Sequence, residues 1–423
     1  VLLISFSFAK HKKIILSLKF FMNQKEIIIN IANNLANQAC ELILKLGFSL
    51  ENSIIISDKK IWQKHFKNFK EDFRNQLGET LILRDPTTDE KFVKKIIDHA
   101  KNYRLIIAFG SGTINDLCKY SASQLNIPYV VFTSACSMNG YCSPSASITI
   151  NSHKKTLNAK VPIAVFSDLK ILKQSPKKMT KAGIADALCL YSCWFDWFLS
   201  YLIFDSKFNL ECFLMQENAI AKLKKNYLNW QLNDQNFLAI LMEILLVSGK
   251  AMGLANGSYP ASQSEHLIGH CLSMKYPKEL KNILHGNLIA ITSQQSLIIQ
   301  QEILNKLQQN KLILPTTSIA YLQRINKFFG KKIAHECIDQ YKDKKISNKK
   351  ILQINEKLKD NQQIFFFELK KIYEQNSSVK KIFRHFKINT NWRKLSLNQQ
   401  QYHDCVNNAK FIRNRFTSLD FLN

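Results

Sequence analysis

The 423-residue chain carries 59 Lys and Arg against 32 Asp and Glu, a formal net charge of +27, with 46% hydrophobic and 22% charged residues. That apolar fraction excludes a disordered chain, and the length exceeds what one hydrophobic core usually fills, so two domains are expected. The positive excess is mostly lysine spread along the length, without an arginine and aromatic pattern for reading bases, which excludes specific nucleic-acid binding and leaves attraction for small anions.

The N-terminal run "VLLISFSFAKHKKIILSLKFFM" is apolar but is broken by the basic cluster Lys10 to Lys13. The pieces are too short to span a bilayer and lack a signal-peptide cleavage pattern, so no transmembrane helix is expected. Residues 1–21 read as an extension ahead of Met22, with a short amphipathic arm as the alternative. Residues 22 to about 48 carry helical periodicity, as in "IANNLANQACELILKLG", with Gly47 as the stop.

Next come a β-branched run, "SIIISD", closed by Asp58, then a strand at "TLILRD" and a helix at "TDEKFVKKIIDHAKN". A third strand, "RLIIAFG", precedes two more at "YVVFTS" and "VPIAVFSD". Short apolar runs alternating with helices predict a parallel α/β layer over residues 22–175, and long helical patterns predict an all-α domain over 176–423. Within the latter, "ILQINEKLKDNQQIFFFELKKIY" is amphipathic helix without recognisable chemistry. The ten cysteines include no CxxC pair, Cys189 and Cys193 being closest, so buried free thiols in a reducing cytoplasm are expected.

Two stretches carry chemistry. In "RLIIAFGSGTINDLCKY" a strand runs into Gly110, Ser111 and Gly112 and then into a helical pattern, a place where main-chain amides can meet a pyrophosphate. Asn115 stands where a third glycine would complete GxGxxG, so a plain tight turn is the alternative. Asp58, at the end of a neighbouring strand, can reach an adenosine ribose or cap the helix that follows. In "PASQSEHLIGHCLSM" His266 and His270 share a helix face four residues apart. The string is not HExxH, so the metalloprotease arrangement is excluded. With His285 in "NILHGN" and Asp186 in "KAGIADAL", the chain has two imidazoles and a carboxylate able to hold a divalent metal with open positions.

In order, "FGSGTINDLCKY", "TSACSMNGYCSPSASI", "VPIAVFSDLKIL", "AGIADAL", "YPASQSEHLIGH" and "LHG" resemble the sn-glycerol-1-phosphate dehydrogenases, in the superfamily of iron-type alcohol dehydrogenase, glycerol dehydrogenase and dehydroquinate synthase. The resemblance covers about residues 50 to 295 and the tail "AKFIRNRFTSLDFL". It implies a dehydroquinate synthase-like fold, with an α/β dinucleotide-binding domain, a helical domain and an active site between them. It implies metal-dependent interconversion of dihydroxyacetone phosphate and sn-glycerol 1-phosphate with NAD or NADP, in a cytoplasmic homo-oligomer.

Carried over residue by residue, the metal ligands would be Asp186, His266 and His285, holding zinc or nickel, and His270 would contact substrate. The cofactor would meet Asp58, Gly110, Gly112, Thr113, Ile114, Asn115, Asp116, Ser134, Ala135, Cys136, Ser137 and Ser143. Three departures stand out. Asn139 replaces an aspartate on the substrate side, Ala185 replaces the glycine before Asp186, and Leu190 replaces a lysine.

Overall fold

The computed structural model describes residues 16–22, 25–150, 153–316 and 320–422. The reading of residues 1–15 lies outside them. Nine strands are present among the described residues: β1 (Leu16–Met22), β2 (Lys25–Ala32), β3 (Ser53–Asp58), β4 (Glu79–Leu83), β5 (Leu105–Gly110), β6 (Tyr129–Thr133), β7 (Ser145–Ile150), β8 (His153–Asn158) and β9 (Ala164–Asp168). Seven make one sheet in the order β1-β2-β9-β6-β5-β3-β4. Its pairs are parallel except β1 with β2, which is antiparallel. β7 and β8 form a separate antiparallel hairpin.

The parallel strands are buried on both faces, which is why they read as unbroken apolar runs: Ile54, Ile55 and Ile56 of β3 and Ile106, Ile107 and Ala108 of β5 are all fully buried. β3 and β5 pair with Ser57 opposite Phe109, so Asp58 and Gly110 leave the sheet at the same edge. The crevice beyond the carboxyl ends of such strands is where ligands of open α/β sheets bind.

The expected helix over residues 22–48 is corrected. Lys25–Ala32 is a strand, followed by a single 3-10 turn at Ala36–Gln38 and a short helix at Ala39–Lys45. The reason is a period of two: Ile27, Ile29 and Ile31 are buried while Ile28 is 39% exposed. The β7–β8 hairpin was not foreseen either.

From Lys177 onward the described chain is helical. The helices Lys177–Leu188 and Gln235–Leu254 pack into the same core as the sheet, with Ile184 and Leu245 joining Ile56, Ile106 and Val131. A second core lies wholly in the helical half, where Leu358 and Leu369 of the amphipathic helix Asn348–Glu374 meet Phe195 and Leu199. Two helical stretches, Lys177–Phe204 and Gln235–Leu254, are long and apolar enough to cross a membrane by length and composition, but 72% and 78% of their apolar windows are buried inside the protein.

Close main-chain approaches set the spacing of the two halves. A Cβ on Gly183 would lie 2.0 Å from the Cys136 carbonyl oxygen, and one on Gly286 would lie 2.0 Å from that of Ala182. Glycine therefore lets the helix Lys177–Leu188 press against the loop after β6 on one side and against the helix His285–Gln308 on the other.

Candidate metal and dinucleotide site

Asp186 sits near the end of the helix Lys177–Leu188 with no exposed surface. Its Oδ2 accepts the main-chain N–H of Asn139 at 2.7 Å, whereas its Oδ1 has no hydrogen-bond partner among the described residues. That bare oxygen faces His266 Nε2 at 3.6 Å and His285 Nε2 at 3.9 Å. The ligand atoms of all three residues lie within 4.8 Å of one another. An unpaired buried carboxylate oxygen is costly unless a cation meets it, and two imidazoles with one carboxylate are the donors of a divalent transition-metal site with open positions. The residues fit a metal.

Glu265 is a contributor that sequence reasoning missed. Its Oε1 accepts from His266 Nδ1 at 2.8 Å and from the Gln263 main-chain N–H at 2.7 Å, and its Oε2 accepts from Ser192 Oγ at 3.0 Å. A carboxylate behind a histidine fixes the proton on Nδ1 and leaves Nε2 free to bind metal. Burial works against the charged form of His266, but in the ion-free protein the facing Asp186 carboxylate and the Glu265 hydrogen bond override it and raise the pKa to about 10, so a metal would take the place of the Nε2 proton. At His285, whose side chain is 37% exposed, desolvation in the cleft lowers the pKa against the opposing pull of Asp186. At His270, burial together with Arg413 and His285 holds the imidazole well below its ordinary value. The His270 and His266 rings stand 6.1 Å apart, so His270 adjoins the trio without joining it.

The candidate dinucleotide side begins at Gly112, the first residue of the helix Gly112–Gln124. Ser111 gives this helix no side-chain cap, so its first-turn amides are left for an anion. Asp116 accepts from Asn115 Nδ2 at 3.1 Å and from the Ser147 main-chain N–H at 3.2 Å. Lys119, one turn further, is fully buried and was not foreseen. Its ammonium donates to the carbonyl oxygens of Gly140, Ser143 and Ser145 at 2.5, 2.9 and 3.1 Å. It thereby shapes the loop that carries Asn139 and Ser143.

A cleft of about 270 Å³ unites Gly112, Thr113, Asp116, Ser137, Asn139 and Ser143 with Asp186, His266, His270 and His285. Asp58 lines an adjoining groove with Ser111, Thr113 and Ile114, while its Oδ1 also caps the next helix through Ile61 N–H at 3.0 Å. Gly110, Asn115, Ser134, Ala135 and Cys136 line neither. The Gly110 carbonyl accepts from Ser134 N–H at 2.9 Å, the Ala135 carbonyl accepts from Tyr141 at 2.7 Å, and Cys136 Sγ donates to Leu238, so these positions hold the loops behind the cleft. Of the three departures, Ala185 and Leu190 are fully buried in the main core and only Asn139 reaches the cleft.

Two cations in the cleft were also missed: Lys154 on β8 and Arg413 in the C-terminal segment. Desolvation in the cleft lowers the pKa of both, but the Arg413 guanidinium keeps its charge. Arg413 donates to Thr156 Oγ at 2.5 Å.

Comparison with known proteins bears on the family and the fold. Residues 30–176 match the family model described as iron-containing alcohol dehydrogenase. The glycerol-1-phosphate dehydrogenase (NAD(P)+) of Bacillus velezensis is 36% identical over 209 residues, 47% of this chain and 51% of that relative. The chain thus spans about half the length of that relative. The same-named protein of Sulfurisphaera tokodaii is 30% identical over 288 residues, covering 66% of this chain and 75% of the relative. Among solved structures, glycerol dehydrogenase from Schizosaccharomyces pombe aligns over 85% of this chain and 95% of its own with a TM-score of 0.52 at 15% identity. Sulfoacetaldehyde reductase from Bifidobacterium kashiwanohense, in complex with NAD+, aligns over 91% and 90% with a TM-score of 0.57 at 12% identity.

Proposed function

The chain belongs to the glycerol-1-phosphate dehydrogenase family within the iron-containing alcohol dehydrogenases, and from that premise we propose that it reduces dihydroxyacetone phosphate to sn-glycerol 1-phosphate with NADH or NADPH. The observation that carries the reading is the bare Oδ1 of Asp186 facing two imidazoles in the same cleft as two half-buried cations, Lys154 and Arg413. The first feature suits a zinc or nickel ion, and the second suits a phosphate. A polyol dehydrogenase acting on an unphosphorylated substrate would have no use for that pair of charges.

The bound metal would supply Lewis acidity at the C2 carbonyl, and the reduced nicotinamide the hydride. Asp186, His266 and His285 would hold the metal, with Glu265 fixing the tautomer of His266. The uncapped amides of Gly112 and Thr113 would take the pyrophosphate, and Asp58 the adenosine ribose through the oxygen not used in capping. Lys154 and Arg413 would hold the substrate phosphate, so that C2 lies toward the metal end of the cleft. His270, kept neutral by its surroundings, would orient the substrate by hydrogen bonding to an oxygen near C2. Asn139 fixes Asp186 through its main-chain N–H, a contact that does not depend on which side chain stands at 139.

All ten cysteines are unpaired, and we place the activity in the cytoplasm, where they would stay reduced. The test is oxidation of NADH and NADPH by the purified protein with dihydroxyacetone phosphate or dihydroxyacetone, before and after chelation and metal add-back. Turnover confined to the phosphorylated substrate, lost on chelation and restored by metal, is expected. Equal turnover of both substrates, or activity indifferent to exhaustive chelation, would overturn the reading.

A further inference from the structure

A second group of metal-binding side chains lies on the other side of the His266 ring. Cys189 and Cys193 are joined by a main-chain hydrogen bond of 3.0 Å from N–H of 193 to the carbonyl of 189, so both thiols project from one helical face just beyond Asp186. Their sulfurs, a Glu265 carboxylate oxygen and a His266 ring nitrogen all lie within 4.8 Å of one another. None of the four residues is more than 4% exposed. Cys193 Sγ is 2.9 Å from Glu265 Oε1, which is 2.8 Å from His266 Nδ1. The other nitrogen of that ring, Nε2, faces Asp186. One imidazole therefore presents a nitrogen to each group.

We propose that Cys189, Cys193, Glu265 and His266 Nδ1 form a second cation site, selective for zinc, which the His266 ring bridges to the site made by Asp186, His266 and His285. Two sulfurs, one oxygen and one nitrogen make four donors, the number that fills a tetrahedral zinc site. Thiolates are soft donors and favour zinc over magnesium or calcium. Loading exchanges the S–H protons of both cysteines and the Nδ1 proton of His266 for bonds to the ion, and the three protons pass to solvent. In the loaded form the ion would take the place of the Nδ1 proton that Glu265 otherwise holds, and His266 would serve the two groups through its two nitrogens. The bridge rests on the metal reading of the first site, whereas the thiolate site stands on its own residues.

The test uses the full chain, stripped of metal with a chelator and titrated with cobalt(II) as a spectroscopic probe and with zinc. The wild type is expected to take up two equivalents, one of which develops thiolate-to-cobalt charge-transfer absorption in the near ultraviolet. Cys189→Ser and Cys193→Ser, singly or together, should lose that absorption and one equivalent, while His285→Ala should weaken the other equivalent and keep the absorption. X-ray absorption of the zinc-loaded wild type, which needs no variant, should show sulfur neighbours at about 2.3 Å. A single equivalent without sulfur neighbours, or cobalt–thiolate absorption surviving in the double serine variant, overturns the proposal. A wild type that turns over dihydroxyacetone phosphate without a sulfur-bound ion would sink this site alone, and a sulfur-bound ion in a protein without turnover would sink the dehydrogenase reading alone.

Discussion

Replacing Gly286 by alanine tests whether the close approach of two helices builds the metal site. The added Cβ would stand 2.0 Å from the Ala182 carbonyl oxygen and 2.6 Å from its carbon, both main-chain atoms that no side-chain rotation can clear. A carbon–oxygen contact relaxes at roughly 3.3 Å, so the helices must part by about 1.3 Å. His285 opens the helix that has to move, and its Nε2 is 3.9 Å from Asp186 Oδ1. Metal–ligand distances hold to within about 0.2 Å, so a shift several times larger takes His285 out of reach. Loss of even an outer-shell partner weakens metal binding by about 10- to 100-fold, so loss of a ligand is expected to cost at least about 100-fold. Overpacking adds about 1–3 kcal/mol of destabilisation. The assay is competition with a chelator of known affinity, alongside circular dichroism and thermal unfolding to establish that the variant is folded. Wild-type metal affinity and an unchanged melting temperature in Gly286→Ala would refute the reasoning.

Lys154→Ala and Arg413→Ala should each raise KM for dihydroxyacetone phosphate by about 10- to 100-fold, the equivalent of about 1.5–3 kcal/mol for a charge-assisted hydrogen bond, and leave KM for the nicotinamide cofactor unchanged. Because burial lowers Lys154 from its ordinary 10.5, its charge is present at low pH and is lost as pH climbs through the lowered value. KM for the phosphorylated substrate should therefore rise with pH before an ordinary lysine would titrate, and Lys154→Ala should flatten that limb of the profile. His270→Ala should keep its metal by mass spectrometry and lose turnover, since His270 adjoins the trio without ligating; loss of metal in this variant would move His270 into the ligand set.

The α/β layer was legible wherever a strand is buried on both faces, because "SIIISD" and "RLIIAFG" are apolar without interruption. β2 was misread because "EIIINIA" runs directly into a true helical segment, and its alternation becomes plain only once Ile28 is seen to face outward while Ile27 and Ile29 face inward. The β7–β8 hairpin hid in "SASITI" and "HKKTLN", where serine, threonine and lysine dilute the apolar signal. Asp186, His266 and His285 could be assembled from their motifs, and the structure brings them within reach of one ion. Glu265 was in plain view beside His266, yet only the fold shows that its carboxylate turns back onto the His266 ring and is held there by Ser192 and Cys193. Lys154 and Arg413 were invisible for a different reason: in a chain with 59 basic residues, no local pattern marks the few that line the cleft.

The Lys119 clasp bears on how much order a nucleotide has to create. Three carbonyls of the loop around Ser143 are already gathered by a buried ammonium, so that stretch has surrendered its freedom before any ligand arrives. Binding energy that a slack loop would consume in becoming ordered stays in the affinity instead. The same economy makes the loop brittle: a shortened or neutral side chain at 119 would strand several buried oxygens together, and the harm would fall on both halves of the cleft at once.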